Sequence, residues 1–235
     1  MVPVMSVKRE LIKGTLILAA AGFAARLLGF FNRVYLANLI SNAELGRYQL
    51  IFPILFCMAV SCAGIQVAVS KMVAAYHGAG KKKAIRQTIK SAGIMSLIAA
   101  LLSSGCVIAF SEPISRWILK DISCRGYLVI MAIAIPFAAV HTCVGGYFYG
   151  IRHTAVPAVT QLLEQVVRVV TIYLLGAMMY QKGKIDASVA VWGLAAGEIF
   201  SCFLTWICYR FSIRSQSGGS GSGEPIRKIL RQLWQ

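Results

Sequence analysis

The sequence predicts an all-α fold, a polytopic membrane bundle of six helices. Three observations carry that expectation. Of 235 residues, 58% are hydrophobic and only 14% are charged, against about 25% charged in a soluble globular domain; the mean hydropathy is +0.71. The apolar residues gather into runs of bilayer length, a helix needing about 20 apolar residues to cross roughly 30 Å of hydrocarbon. The basic residues, which give a formal net charge of +16, lie mostly between those runs. The positive-inside rule accounts for that placement without any nucleic-acid partner.

Met1 to Lys13 is a basic lead, carrying Lys8, Arg9 and Lys13, with no signal-peptide cleavage pattern behind it. The first span, 14–40, is apolar but holds Arg26 near its middle and Arg33 about two turns later. A guanidinium stays charged at any physiological pH, and placing one at bilayer centre costs about 3 kcal/mol on insertion scales. Gly22, Arg26, Gly29 and Arg33 follow i, i+4, i+7, i+11, one face of a helix. The glycines should let neighbouring helices approach this stripe. Two readings stand for the arginines. The stripe faces a polar cavity inside the bundle, or Arg33 snorkels to the interface while Arg26 pairs with an acid on another helix.

Ser41 to Arg47 reads as a tight turn. The second span, 48–70, has Pro53 near its start and Gln66 near its far end. Lys71 to Lys90 is the most basic connection, with Lys71, Lys81, Lys82, Lys83, Arg86 and Lys90. It serves as a topology signal or as a docking patch for anionic headgroups. The third span, 91–110, carries no charge. Ser111 to Gly126 is a mixed-charge loop in which Ile114, Trp117 and Ile118 suggest a short interfacial helix.

The fourth span, 127–150, holds Pro136, His141 and a G-x-x-x-G formed by Gly146 and Gly150, a weak sign of close helix packing. Pro157 fits the first turn of the fifth span, 157–180. The sixth span, 188–209, repeats small residues at Gly193, Gly197 and Ser201. The spans and their short connections form one unit, 14–212. Residues 213–223 then read as a flexible Gly/Ser linker, and 224–235 turn basic and amphipathic. Six spans put both termini on one side. The alternate connections on that side hold most of the 24 lysines and arginines, which places both ends in the cytoplasm.

A second polar stripe lies on the fifth span. Gln161, Glu164, Gln165 and Arg168 fall at i, i+3, i+4, i+7. Glu164 and Arg168 are at i, i+4 with the acid first, the favoured order. The stripe either neutralises itself for structural reasons or lines the same cavity as Arg26. Glu198 on the sixth span would partner Arg26 or Arg33, or bind a proton or cation. Gln66 joins these as a further polar candidate for the cavity, while His141 reads as a hydrogen-bonded structural group.

The seven cysteines include no C-x-x-C pair and read as small packing residues. No H-E-x-x-H, Walker loop or nucleotide-binding glycine fingerprint is present. No catalytic residue, metal site or cofactor is expected.

The run Ala25 to Ile54, ARLLGFFNRVYLANLISNAELGRYQLIFPI, resembles the first two spans of the stage V sporulation protein B-like polysaccharide-export family. That family belongs to a superfamily with the lipid II flippases and the multidrug and toxin extrusion antiporters. Pro157 to Arg168, PAVTQLLEQVVR, is similar to its fifth span. The resemblance covers essentially the whole chain. It implies one six-helix lobe of a two-lobe flippase-type transporter, of which this would be the N-terminal one, with 224–235 the approach to a second lobe in the same or another chain. It implies a lipid-linked oligosaccharide or polysaccharide precursor as substrate, moved by alternating access. Arg26 takes the position of the family's cationic-cavity arginine. Arg33 and Arg168 would join it in attracting a pyrophosphate, and Glu164 and Glu198 would hold them or answer a proton or Na+ used as coupling ion. Membrane lipids are the other expected partner. A drug antiporter, whose cavity would be lined by acids, and a non-transporting membrane scaffold are the alternatives.

Overall fold

The computed structural model describes residues 4–180 and 185–217. Helix α1 spans Val4–Leu39, α2 Asn42–Leu50, α3 Phe52–Gly78, α4 Lys82–Ala109, α5 Ser111–Pro113, α6 Cys124–Gly150, α7 Ala155–Tyr180 and α8 Ser188–Ser217; a π-helical turn, Ile114–Ile118, follows α5. No strand occurs among the described residues.

Among the described residues, five stretches have the length and composition to cross a membrane: Gly14–Leu39 within α1, α4, α6, α7 and Ser188–Arg214 within α8. The expectation was six. The second predicted span is not one uniform helix; what remains of it, α3, is 27 residues long. Ser41 accepts the Glu44 N–H and caps α2, so the stretch read as a tight turn is a short polar helix. The chain then breaks at Ile51, and Pro53 sits in the first turn of α3. Proline lacks the N–H that a continuing helix needs but is at home in a first turn.

Several boundaries move for similar reasons. The basic lead continues into α1 as helix. The basic connection after α3 shrinks to residues 79–81, because helical hydrogen bonding runs through Gly78 and resumes at Lys82. Gly80 carries φ +67° there, a conformation that glycine adopts without penalty. Helix α8 continues to Ser217, into the segment read as linker; 218–235 lie outside the described residues. A short helical turn forms over Ile114–Ile118, with Trp117 82% exposed.

Helix α6 is the hub. It packs against α3, α4 and α8, while α7 joins α8 on one side and α1 on the other. Glycine sets the closest of these approaches. A Cβ at Gly146 would lie 2.7 Å from the Gln66 carbonyl, and one at Gly150 2.7 Å from Val73 Cβ, so the G-x-x-x-G is the α3 contact face of α6. Two apolar cores result. One gathers Leu36, Ile51, Leu128, Ile172 and Val191. The other gathers Val69, Val73, Ile89, Tyr147 and Phe148. Along α6, α7 and α8 the polar residues His141, Glu164, Arg168 and Glu198 fall between the two. Large apolar side chains such as Leu101, Leu102, Phe203 and Met95 point outward, as a lipid-facing surface requires. Cys124, Cys143 and Cys202 are buried packing residues, but Cys57 and Cys106 lie on exposed surface.

Candidate functional site

The two polar stripes meet. Arg26 and Arg33 of α1 line a cavity of about 630 Å³ together with Gln161, Gln165 and Arg168 of α7. The helical period does this, because each stripe keeps its residues on one face and α1 packs on α7. Gly22 and Gly29 belong to the lining, but they do not serve as the close-packing glycines expected. A Cβ at either would meet nothing within 4 Å. They widen the cavity rather than seat a neighbouring helix.

Among the described residues, neither Arg26 nor Arg33 makes an ion pair, and both are exposed to the cavity. Arg168 differs. Its Nη2 donates to Glu164 Oε1 at 2.7 Å, and its Nη1 to Gln165 Oε1 at 3.5 Å. Its buried Nε has no protein acceptor, and Asn32 Oδ1, in the same lining, has no protein donor. Asn32 is 9% exposed and was not singled out in the sequence, where it is one more residue beside Arg33. Three permanent cations around one space suit an extended, multiply charged anion, which each fork-shaped guanidinium can meet with two hydrogen bonds.

A second cavity, about 830 Å³, adjoins the first and shares Arg33, Phe52 and Leu194 with it. Its polar lining includes Gln49, His141, Thr142, Glu164 and Glu198. Here α6, α7 and α8 bring His141, Glu164 and Glu198 together, with the nearest imidazole and carboxylate atoms all within 4.8 Å of one another. His141 Nδ1 lies 3.9 Å from Glu198 Oε2, and His141 Nε2 lies 3.1 Å from Ser201 Oγ. Glu198 therefore faces His141 rather than either α1 arginine.

The small residues of α8 make this possible. A Cβ on Gly193 would sit 2.4 Å from Ile172 Cγ1, and one on Gly197 3.2 Å from the Glu164 carbonyl. Only glycines allow α8 this close to the charged turn of α7. Gln66, a cavity candidate by sequence, lines neither space. It lies against α6, where a Cβ on Gly145 would meet its Nε2 at 3.3 Å. The same glycines that let α3 onto α6 take Gln66 out of the cleft.

At one end of the lobe a separate polar cluster ties the connections together. Arg47 Nε donates to Asp121 Oδ2 at 2.7 Å, and its Nη1 donates to Glu44. Glu44 also accepts the Tyr127 hydroxyl and the Ala187 N–H, each at 3.0 Å. Partial burial raises the Glu44 carboxyl, but the Ala187, Tyr127 and Arg47 donors outweigh it and hold the group below its usual range. Arg47 likewise lowers Asp121 and is itself raised by both acids.

Comparison with known proteins agrees with this architecture. The family model described as polysaccharide biosynthesis protein matches residues 11–235. The chain is 28% identical over 206 residues to stage V sporulation protein B of Bacillus subtilis, covering 87% of this chain and 40% of that protein. It is 25% identical over 183 residues to the lipid II flippase MurJ of the same organism, covering 72% and 32%. Among solved structures it is similar to the MATE transporter ClbM in complex with Rb+, with a TM-score of 0.73, 16% identity and coverage of 87% and 47%. It is similar, too, to a MOP superfamily transporter from Pyrococcus furiosus, at TM-score 0.72 and 16% identity, covering 95% and 50%. The fold is thus one lobe of a MATE-like transporter, and the chain is a multi-pass membrane protein. It spans less than half the length of the curated relatives it matches.

Proposed function

We propose, from the premise that this chain belongs to the polysaccharide biosynthesis protein family, that it is the N-terminal lobe of a flippase. Its cargo would be a lipid-linked oligosaccharide or polysaccharide precursor, moved across the cytoplasmic membrane by alternating access, in service of the cell wall or spore envelope. One observation carries this reading: Arg26, Arg33 and Arg168 line a single cavity between α1 and α7. An anionic pyrophosphate headgroup has the charge and the acceptor oxygens to engage such a set through charge-assisted hydrogen bonds. The polyprenyl chain would lie along the apolar faces of the bundle. Gln161 and Gln165 offer donors for the sugar or bridging oxygens.

On this reading the basic residues at 71–90 and both termini face the cytoplasm, the side on which such precursors are made. Residues 213–235 lead to the second lobe, and the transport path forms between the lobes. The protein moves its cargo without breaking or making a covalent bond.

The test is reconstitution in liposomes of a two-lobe protein that contains this sequence, assaying exposure of lipid-linked sugar on the opposite leaflet. Arg26→Ala is expected to abolish flipping while leaving the protein folded. Flipping at the normal rate in that variant would overturn the reading.

A further inference from the structure

Glu164 belongs to both cavities' chemistry, and it is the only acid that does so among the described residues. It holds Arg168 at 2.7 Å on one side. On the other, its carboxylate falls within the 4.8 Å cluster with Glu198 and His141. Glu164 is 8% exposed, so neither contact is made in bulk water.

We propose that Glu164 exchanges partners. An anion bound by Arg168 displaces Glu164, and the released carboxylate joins Glu198 and His141 in taking up one proton from solution. Anion and proton then bind together. This rests on the anion-binding reading of the arginine-lined cavity.

The charge balance drives the exchange. With Arg168 attached, Glu164 is compensated, and Glu198 faces an imidazole. Once an anion neutralises Arg168, two carboxylates are left close together beside one imidazole. Two carboxylates and an imidazole this close can share one proton among them. His141 suits the role of carrier. Its Nε2 is engaged by Ser201 Oγ at 3.1 Å, which leaves Nδ1 directed at Glu198. An imidazole nitrogen also favours a proton over a hard alkali ion, which seeks oxygen.

The other charged or titratable groups around the cluster are few. Arg33 arrives from α1 and lines the same cavity. Tyr48 of α2 lines the arginine side. Cys202 lies one turn beyond Glu198 on α8. The lining residues of α3, Phe52, Pro53, Leu55 and Phe56, do not titrate. Arg33 stays a cation throughout, so the proton has to be taken by the Glu164, Glu198 and His141 set.

The experiment is calorimetric titration of the purified chain in nanodiscs with inorganic pyrophosphate. It is run in two buffers of different ionisation heat, so that protons taken up per anion are counted. Wild type is expected to take up about one proton more per pyrophosphate than Glu198→Gln does, the probe's own titration cancelling in the difference. Its affinity should fall about tenfold per pH unit on the alkaline side. Equal proton uptake in wild type and variant, with binding intact, overturns the exchange and leaves the anion cavity standing. No pyrophosphate binding at any pH overturns the cavity reading itself, and the exchange with it. Binding that responds to added NaCl over choline chloride, but not to pH, replaces the proton by an alkali ion and overturns the assignment. If Glu198→Gln does not fold, the infrared difference spectrum of the unmutated protein decides. A protonated-carboxyl stretch or an imidazolium ring band appearing on pyrophosphate addition supports the exchange, and the absence of both overturns it.

Discussion

Glu164 and Arg168 form an ion pair at 2.7 Å, one helical turn apart on α7, with side chains only 10% and 16% exposed. The pair stands at the boundary between a cavity lined by arginines and one lined by two acids and a histidine. That position makes the pair more than a local neutralisation, and it sets the first prediction.

Arg168→Gln removes the cation and leaves Glu164 beside Glu198 without compensation, and Glu164→Gln is the companion single change. Breaking a buried pair by deleting one partner costs about 3–5 kcal/mol. The double change Glu164→Gln with Arg168→Gln removes both charges together and should restore most of that loss. Thermal unfolding of the four proteins in detergent, read as a double-mutant cycle, measures the coupling. A loss in the double variant equal to the sum of the two single losses would show that the pair does not interact.

Glycines that look alike in the sequence should respond differently. Gly193→Ala places a methyl 2.4 Å from Ile172 Cγ1, and overpacking of this kind costs about 1–3 kcal/mol. Gly22→Ala meets nothing within 4 Å and should stabilise α1 by several tenths of a kcal/mol through helix propensity, up to about 1 kcal/mol. Unfolding midpoints of the two variants should therefore move in opposite directions.

The α1 arginines should be separable from folding. Arg26→Ala and Arg33→Ala each remove a cavity cation that has no ion-pair partner among the described residues, so the unfolding midpoint should hardly change. Each loses hydrogen bonds to an anion worth about 1.5–3 kcal/mol. Pyrophosphate affinity should drop roughly tenfold to a hundredfold, as calorimetry would show.

The Arg47 cluster should impose an acid limit on stability. Glu44 and Asp121 both titrate below their usual values of 4.5 and 3.8. Their contribution is therefore complete above those values and fades as pH falls through the lowered ones. Unfolding midpoints should be flat near neutrality and decline below about pH 4. Arg47→Ala should flatten that acid decline and lower the midpoint at pH 7. An unchanged acid profile in the variant would detach Arg47 from it.

Much of this lobe was legible without coordinates, because the bilayer imposes simple rules. Run length and hydropathy marked α1, α4, α6, α7 and α8, since a spanning helix has to be long, apolar and internally hydrogen-bonded. The 3.6-residue period placed Arg26 with Arg33, and Gln161 with Glu164, Gln165 and Arg168, on single helix faces. It also joined Glu164 to Arg168, a contact made within one helix.

Contacts between helices were another matter. Ser41 and Pro53 carried signals of the break that produced α2, but the run read as the second span passes over Pro53. That Glu198 meets His141, that Gln66 turns to α6 and that Asn32 enters the arginine cavity all depend on which helices adjoin and at what rotation. Close packing decides those things. Gly193 and Gly197 seat α8 on α7, and Gly146 and Gly150 seat α6 on α3, while Gly22 and Gly29 face open space. A small residue in a sequence permits a close approach but does not name the helix that makes it, and only the packed structure supplies the partner.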